Sequence, residues 1–423
     1  MKTVFKPGKL VGRMSAPASK SDTHRRMICA AMTHGQTELQ GYMESEDVRA
    51  TAKCLETLGA FFSVSGDVMT VRGHAGKPDL FPVFDCGESG STLRFSVPLA
   101  LSLCGKGIFR MHGRLGQRPM DVYRDLFVPR GVQWHMGEGA DGAAELTVAG
   151  WLEPGKYSVP GFVSSQFISG LLFSLPLLRD ASVLEVIPPI ESIGYIRMTL
   201  RSLEQSGIQV QQQDQYTWLI PGGQHYNAVS ERLEGDWSQA AVVLCADAQG
   251  SEVTVDGLQD DSMQGDREVL NCLEKMGASV IRSDTGVSVR KGKMQGIVMD
   301  MSNTPDIAPM LALVCQHAEG ESRLTGCGRL RAKECDRLRG TVQILNTLGG
   351  CAREDGDSIV IRGVEKLRGG CRIDTQNDHR MVMLASIAAL VCEKGIETEN
   401  VEALNKSWPG YLDTYRALGG IAE

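Results

Sequence analysis

Asn-Cys-Leu-Glu-Lys-Met-Gly-Ala-Ser-Val-Ile-Arg, residues 271–282, is the phrase on which the fold can be read. At 3.6 residues per turn, Val269, Leu270, Leu273 and Met276 share one face, and Glu268, Asn271, Glu274 and Lys275 share the other. Gly277 stands where such a helix must stop, because the left-handed conformation that closes a helix costs glycine little. The residues after it, Ala-Ser-Val-Ile-Arg, alternate as a half-buried strand does.

The same phrase recurs along the chain as KCLETLGAFFSV, DLFVPRGVQWHM, RSLEQSGIQVQQ, QILNTLGGCARE and TYRALGGIAE. The six glycines are Gly59, Gly131, Gly207, Gly277, Gly349 and Gly419, spaced 72, 76, 70, 72 and 70 residues apart. A period this regular marks a repeat architecture. Each repeat also holds a second helix that is apolar almost all round after its first turn: SDTHRRMICAAMTHG, STLRFSVPLALSLCG, SSQFISGLLFSLPLL, DWSQAAVVLCADAQG, DIAPMLALVCQHAEG and DHRMVMLASIAALVCEKG. Such a helix belongs inside a layered core. The repeat is therefore an α/β module with one buried and one amphipathic helix. Three modules make a domain, and the 423 residues make two. Turn-rich polar sequence, QQQDQY and PGGQHYNAVSERLEGD, separates repeats three and four. The expected division is 14–230 for repeats one to three, and 1–13 with 235–423 for repeats four to six. Hinges are expected near 13–14 and 230–235, with the N-terminal piece returning to the second half.

With 42% hydrophobic and 22% charged residues, the chain has a globular composition. A net charge of −7 argues against a general nucleic-acid or membrane-surface binder while leaving room for a local basic pocket. The 12 cysteines are scattered, without a C-x-x-C pair or zinc-ligand spacing, and read as reduced core thiols. No apolar run approaches the roughly 18 residues that span a bilayer. The N-terminus lacks a secretory pattern, so the expected location is the cytoplasm.

The buried helices open unusually. Lys20, Ser21, Asp22 and Arg25 begin one, Gly87 to Arg94 another, Ser164, Ser165 and Gln166 a third, Asn303 and Asp306 a fifth, and Asn377 to Arg380 the last. Helix N-termini carry unpaired N–H groups and a positive dipole end, which suit anions. Capping is the commoner role of a lone serine there. Cations at the same ends oppose the dipole, and an anionic guest would offset that. The run 329–339, RLRAKECDRLR, places Lys333 and Arg337 four apart, hence on one helical face, with Glu334 and Asp336 as local counter-charges. A solvated charged face is the plain alternative.

These segments together resemble one family. PASKSDTHR (17–25), GESGSTLR (87–94), QRP (117–119), SSQ (164–166), NTPD (303–306), AKECDR (332–337), NDHR (377–380) and KSWP (406–409) occur in the order seen in the 5-enolpyruvylshikimate-3-phosphate synthases. The resemblance spans the chain. It implies an α/β fold of two similar domains, each of three βαβαββ repeats in an inside-out α/β barrel, with the active site in the interdomain cleft. It implies transfer of the enolpyruvyl group of phosphoenolpyruvate to the 5-hydroxyl of shikimate 3-phosphate, with release of phosphate, no metal or organic cofactor, and a monomer. By the same resemblance Ser21, Arg25, Ser164, Ser165, Gln166, Ser192, Tyr195, Asp306 and Lys333 hold shikimate 3-phosphate. Lys20, Gly90, Arg118, Gln166, Arg337, Arg380 and Lys406 hold phosphoenolpyruvate. Asp306 takes the 5-hydroxyl proton, Glu334 protonates the methylene carbon, and Lys20 shuttles protons. Glu88 stands where many members carry Asn, and Arg329 also replaces a common Asn. The UDP-N-acetylglucosamine enolpyruvyl transferases share fold and chemistry, but Lys20-Ser21 and the SSQ segment favour the shikimate substrate. A non-catalytic anion-binding descendant is the alternative from another class, and the joint presence of Lys20, Asp306, Lys333, Glu334, Arg337 and Arg380 argues against it.

Overall fold

The computed structural model describes residues 2–73, 81–284 and 286–423. The helix Val269–Met276 ends on Gly277 at φ 107°, and the other five repeat glycines are also left-handed, with φ between 79° and 97°. The repeated glycine therefore does one job six times: it turns the chain out of an amphipathic helix.

Repeat two shows the module complete. Val83–Asp85 runs parallel to Lys106–Met111, which pairs antiparallel with Ala144–Ala149, which in turn pairs antiparallel with Gln133–Glu138. The buried helix Gly90–Leu103 links the parallel pair, and the helix Asp121–Phe127 precedes the antiparallel pair, giving βαβαββ. Repeats three and five have the same strand order. Three repeats borrow a strand from distant sequence. Glu231–Arg232 pairs with Gln36–Gln40, Val11–Ser15 with Glu252–Asp256, and Thr3–Phe5 with Ile396–Thr398. A short strand cannot hold its ladder alone, and a free sheet edge is a liability, so these distant segments are drawn in to complete each sheet.

The chain falls into two compact units, Met1–Pro17 with Glu234–Glu423, and Ala18–Leu233. In the first unit the buried helices Trp237–Asp247, Ala308–Cys315 and His379–Leu390 pack on one another. In the second, Gly90–Leu103 lies so close to Ser165–Ser174 that a Cβ on Gly170 would meet the Arg94 carbonyl oxygen at 2.4 Å and the Tyr123 hydroxyl at 2.2 Å. That hydroxyl shares its one proton between the carbonyls of Arg94 and Phe167, at 2.8 and 3.0 Å, and pins the two helices. Among the described residues no helix is long and apolar enough to cross a membrane.

One local expectation changes. The strands after the glycines are edge strands rather than half-buried ones: Ser279–Ser283 and Phe61–Ser65 are mostly exposed. Each is the outermost of its sheet, so its alternation is paired with a neighbour on one side only.

Candidate active site

In the unit Ala18–Leu233, four helix starts carry most of the residues singled out above. Ser19 caps the helix Lys20–Ala31, so Lys20 is its first residue, with Ser21 beside it. A cation there is unfavourable to the dipole. The structure supplies a protein carboxylate for it, with Lys20 Nζ 2.7 Å from Asp47 Oδ2 and both side chains largely buried. Arg25, one turn on, is fully buried. It donates from Nε to Thr199 Oγ1 at 2.9 Å, from Nη1 to the Ser21 carbonyl at 2.6 Å and from Nη2 to the Tyr195 carbonyl at 3.0 Å. Its guanidinium also lies over the rings of Phe95 and Tyr195, so burial lowers its pKa, to about 10, without removing its charge. Ser192 sits in the left-handed region (φ 55°) at the start of the helix Ile193–Gln205, which carries Tyr195.

Ser89 caps the second helix, which begins at Gly90. A Cβ on Gly90 would stand 3.1 Å from Arg118 Nη1, 3.3 Å from Arg94 Nη1 and 3.5 Å from Gln166 Oε1. The bare backbone of Gly90 thus faces two guanidinium groups. Arg94 donates to Gln166 Oε1 at 2.6 Å and to the Pro119 carbonyl at 3.0 Å, and Gln166 Nε2 donates to Ser91 Oγ at 2.9 Å. Burial, and then the neighbouring Arg118 charge, lower the Arg94 pKa to about 10. Two cations held this close in a buried setting are what an anion would relieve. Ser164 performs the plain capping role, accepting from Gln166 N at 3.3 Å, with Ser165 buried next to it. Glu88 lies against Gly113, where a Cβ would meet its carboxyl carbon at 2.6 Å.

In the unit that holds Glu234–Glu423, Arg337 is the centre. It is 2% exposed and reaches three carboxylates. Its Nη1 donates to Asp306 Oδ1 at 2.8 Å and its Nη2 to Glu334 Oε2 at 2.7 Å. Asp378 receives two bonds, from Nε at 2.7 Å and from Nη2 at 3.1 Å. Lys333 Nζ is 3.1 Å from Asp306 Oδ1. Burial opposes the charge on Asp306, yet Lys333, Arg337 and Arg380 outweigh it and hold the carboxyl well below the usual carboxylate range. Lys333 is shifted down, mainly by burial. Arg380 donates from Nη1 to the Ser238 carbonyl at 2.7 Å and from Nη2 to the Ser238 hydroxyl. Lys406 Nζ donates to the Asn377 carbonyl at 3.2 Å.

The structure corrects one expectation about this cluster. Lys333 and Arg337 do not share a helical face: Lys333 is extended (φ −88°, ψ −162°) after the 3-10 turn Gly328–Ala332, and Arg337 opens the helix Arg337–Thr347. They meet through Asp306 instead. The counter-charges also divide. Asp336 caps that helix and pairs with Arg331 at 3.2 Å, while Glu334 turns to Arg337. Arg329 donates to the Ser302 carbonyl at 2.6 Å.

Two acids here were given no role from the sequence. Asp378 is fully buried, caps the helix His379–Leu390 and orients Arg337 with both oxygens. Its place in the Asn-Asp-His-Arg segment, directly before an apolar helix, was the available signal. Asp266 is buried at the turn Gly265–Glu268. Burial pushes its carboxyl up to about 7, with Asp306 and Asp236 adding to the rise against Arg380 and Lys333. Nothing local in the sequence marks it.

The architecture places the chain in a class. It superposes along its whole length on EPSP synthase from Acinetobacter baumannii, with a TM-score of 0.82, 23% identity and 99% of that chain covered. The enolpyruvyl transferase NikO from Streptomyces tendae follows at a TM-score of 0.79 and 16% identity, covering 98% of that chain. The fold is thus the one those enolpyruvyl transferases share. Sequence narrows it further. Residues 4–415 match the family model described as EPSP synthase (3-phosphoshikimate 1-carboxyvinyltransferase). Relatives named 3-phosphoshikimate 1-carboxyvinyltransferase include one from Clostridium botulinum, 38% identical over 420 residues with 98% of this chain and 96% of the relative covered. One from Clostridium perfringens is 38% identical over 424 residues, with coverage of 100% and 99%. The chain belongs to the EPSP synthase family, transferases of the shikimate pathway.

Proposed function

We propose that this chain joins phosphoenolpyruvate to the 5-hydroxyl of shikimate 3-phosphate and releases inorganic phosphate. The observation that carries this reading is the buried group around Arg337, where Asp306, Glu334 and Lys333 lie within one connected set of hydrogen bonds and ion pairs. In that set Asp306 receives the 5-hydroxyl proton and Glu334 delivers a proton to the methylene carbon of phosphoenolpyruvate. The hydroxyl oxygen bonds to the enol carbon, giving a tetrahedral adduct that carries both substrates. Loss of a methyl proton and of phosphate then restores the carbon–carbon double bond.

Asp306 is a weak base while three cations surround it. An arriving carboxylate that draws Arg337 and Arg380 to itself would remove that restraint and raise the basicity of Asp306 when both substrates are present. Arg337 must then exchange protein carboxylates for the substrate's, an exchange that its planar fork suits. Lys20, Arg118 and Lys406 serve the phosphate of phosphoenolpyruvate, and of these Arg118 faces the bare backbone of Gly90. Ser21, Arg25, Ser164, Ser165, Gln166, Ser192 and Tyr195 serve shikimate 3-phosphate.

The test is phosphate release measured with each substrate alone and with both. Release that requires both supports the reading. Release with a UDP-sugar in place of shikimate 3-phosphate, or none in any combination, defeats it.

A further inference from the structure

Behind the Lys20 and Gly90 helix starts lies a line of buried polar groups that takes no part in the chemistry above. His24 Nδ1 is 2.8 Å from Thr51 Oγ1, Thr51 Oγ1 is 2.6 Å from Thr92 Oγ1, and Thr92 Oγ1 donates to Ser89 Oγ at 2.7 Å. The four side chains come from three helices, His24 from Lys20–Ala31, Thr51 from the middle of Glu46–Thr57, and Ser89 and Thr92 from the start of Gly90–Leu103, and all are buried.

The order of protons along this line follows from counting. A hydroxyl has one proton to give. Thr92 is the donor toward both the Ser89 hydroxyl and the Asp47 carbonyl, so its one proton is used there; Thr51 must give its own to Thr92, and Thr51 must then accept from His24. The neutral imidazole therefore carries its proton on Nδ1, leaving Nε2 as a buried lone pair without a hydrogen-bond partner among the described residues. Neutrality is enforced: burial, then the Lys20 and Arg25 charges, hold the His24 pKa well below its ordinary value. A one-way chain of hydrogen bonds is stiffer than its links taken separately, because each bond polarises the next.

The line touches the anion-facing residues at both ends. His24 lies one turn after Lys20 on the same helix. Thr92 also approaches the Asp47 carbonyl at 3.4 Å, and the Asp47 carboxylate holds Lys20. Ser89 caps the helix that begins at Gly90.

We infer that Thr51 is a positioning residue, the hub of a His24–Thr51–Thr92–Ser89 relay that fixes the Lys20 ammonium relative to the Gly90 backbone for the phosphate of phosphoenolpyruvate. The inference rests on the reading of function given above. It extends the site inward from the residues that touch substrate to a layer that aims them.

The experiment compares Thr51→Val, which keeps the shape and loses the hydroxyl, with Thr51→Ser, which keeps the hydroxyl. Thr92→Val breaks the next link and serves as the second variant if Thr51→Val does not fold. A valine at either position should raise KM for phosphoenolpyruvate about five- to tenfold, the scale of one lost buried hydrogen bond. KM for shikimate 3-phosphate should stay unchanged, and Thr51→Ser should return within about twofold of the parent. Equal KM values in Thr51→Val and Thr51→Ser, or both substrates affected alike, would overturn the relay. If the parent shows no turnover with these substrates, the reading of function fails, and calorimetric titration with inorganic phosphate decides the relay by itself. Weaker binding in Thr51→Val than in the parent and Thr51→Ser supports it, and equal binding refutes it.

Discussion

Replacing Asp266 with Asn should make the protein more stable at pH 8 and not at pH 5. The folded carboxyl titrates near 7, because burial and the Asp306 and Asp236 charges outweigh Arg380 and Lys333. In the unfolded chain an aspartate titrates near 3.9, so between about pH 4 and 7 the folded state keeps a proton that the unfolded state has lost. Stability then falls as pH rises through that window, by about 1.4 kcal/mol per pH unit and about 4 kcal/mol in total above pH 7. Below about pH 4 this group contributes nothing. Asp306 acts with the opposite sign. Its folded pKa is depressed, so its contribution is present above about pH 4 and is lost only below it, leaving no slope in the same window. Asp247, also pushed up to about 7 by burial, adds a parallel decline that the substitution leaves in place. An Asn at 266 brings two N–H donors that the carboxyl lacks, a pH-independent cost of about 2 kcal/mol. The net gain at pH 8 is then about 2 kcal/mol, or about 4–8 °C for a unit of roughly 200 residues. At pH 5 the variant should melt slightly below the parent. Scanning calorimetry of both proteins at half-unit steps from pH 5 to 8 reads this directly. Two melting curves that stay parallel over the range would show that Asp266 is already ionised at pH 5 and would refute the reasoning.

Lys20→Met should lower kcat by about 10²–10³-fold, the scale of removing one preorganised charge from a transition state. The fold should survive with a melting temperature lowered by about 5–10 °C, since the change leaves the largely buried Asp47 carboxylate without its lysine, a cost of about 2–3 kcal/mol. Retained turnover would contradict the role given to Lys20. Gly90→Ala should raise KM for phosphoenolpyruvate about tenfold while sparing shikimate 3-phosphate. The added methyl stands 3.1 Å from Arg118 Nη1 and must push that guanidinium aside, and equal effects on both substrates in steady-state kinetics would count against this placement. Arg337→Lys should cost about 3 kcal/mol in urea unfolding, because one ammonium cannot replace four bonds to three carboxylates, of which Asp378 is fully buried. A loss under about 1 kcal/mol would mean that the fork is not what holds the cluster.

The sequence by itself determined the repeated unit. A helix needs one apolar face, its end needs a residue that tolerates the left-handed region, and both conditions lie within a dozen neighbouring residues, as around Gly277. The buried helices were legible for the same reason. Their starts, from Lys20 to Asp378, could be found because capping residues and the apolar run stand side by side. The tertiary structure alone decided how distant charges are shared. Lys333 and Arg337 looked like neighbours on a helix, but the chain is extended at Lys333 and helical only from Arg337, and a carboxylate from Asp306 joins the two. Asp47 as the partner of Lys20, Asp266 as a buried acid and the His24–Thr51–Thr92–Ser89 line each join segments whose separation carries no periodic signal. Periodicity records what one stretch of chain must bury. The desolvation and pairing of a charge depend on whatever the rest of the fold brings within a few ångströms.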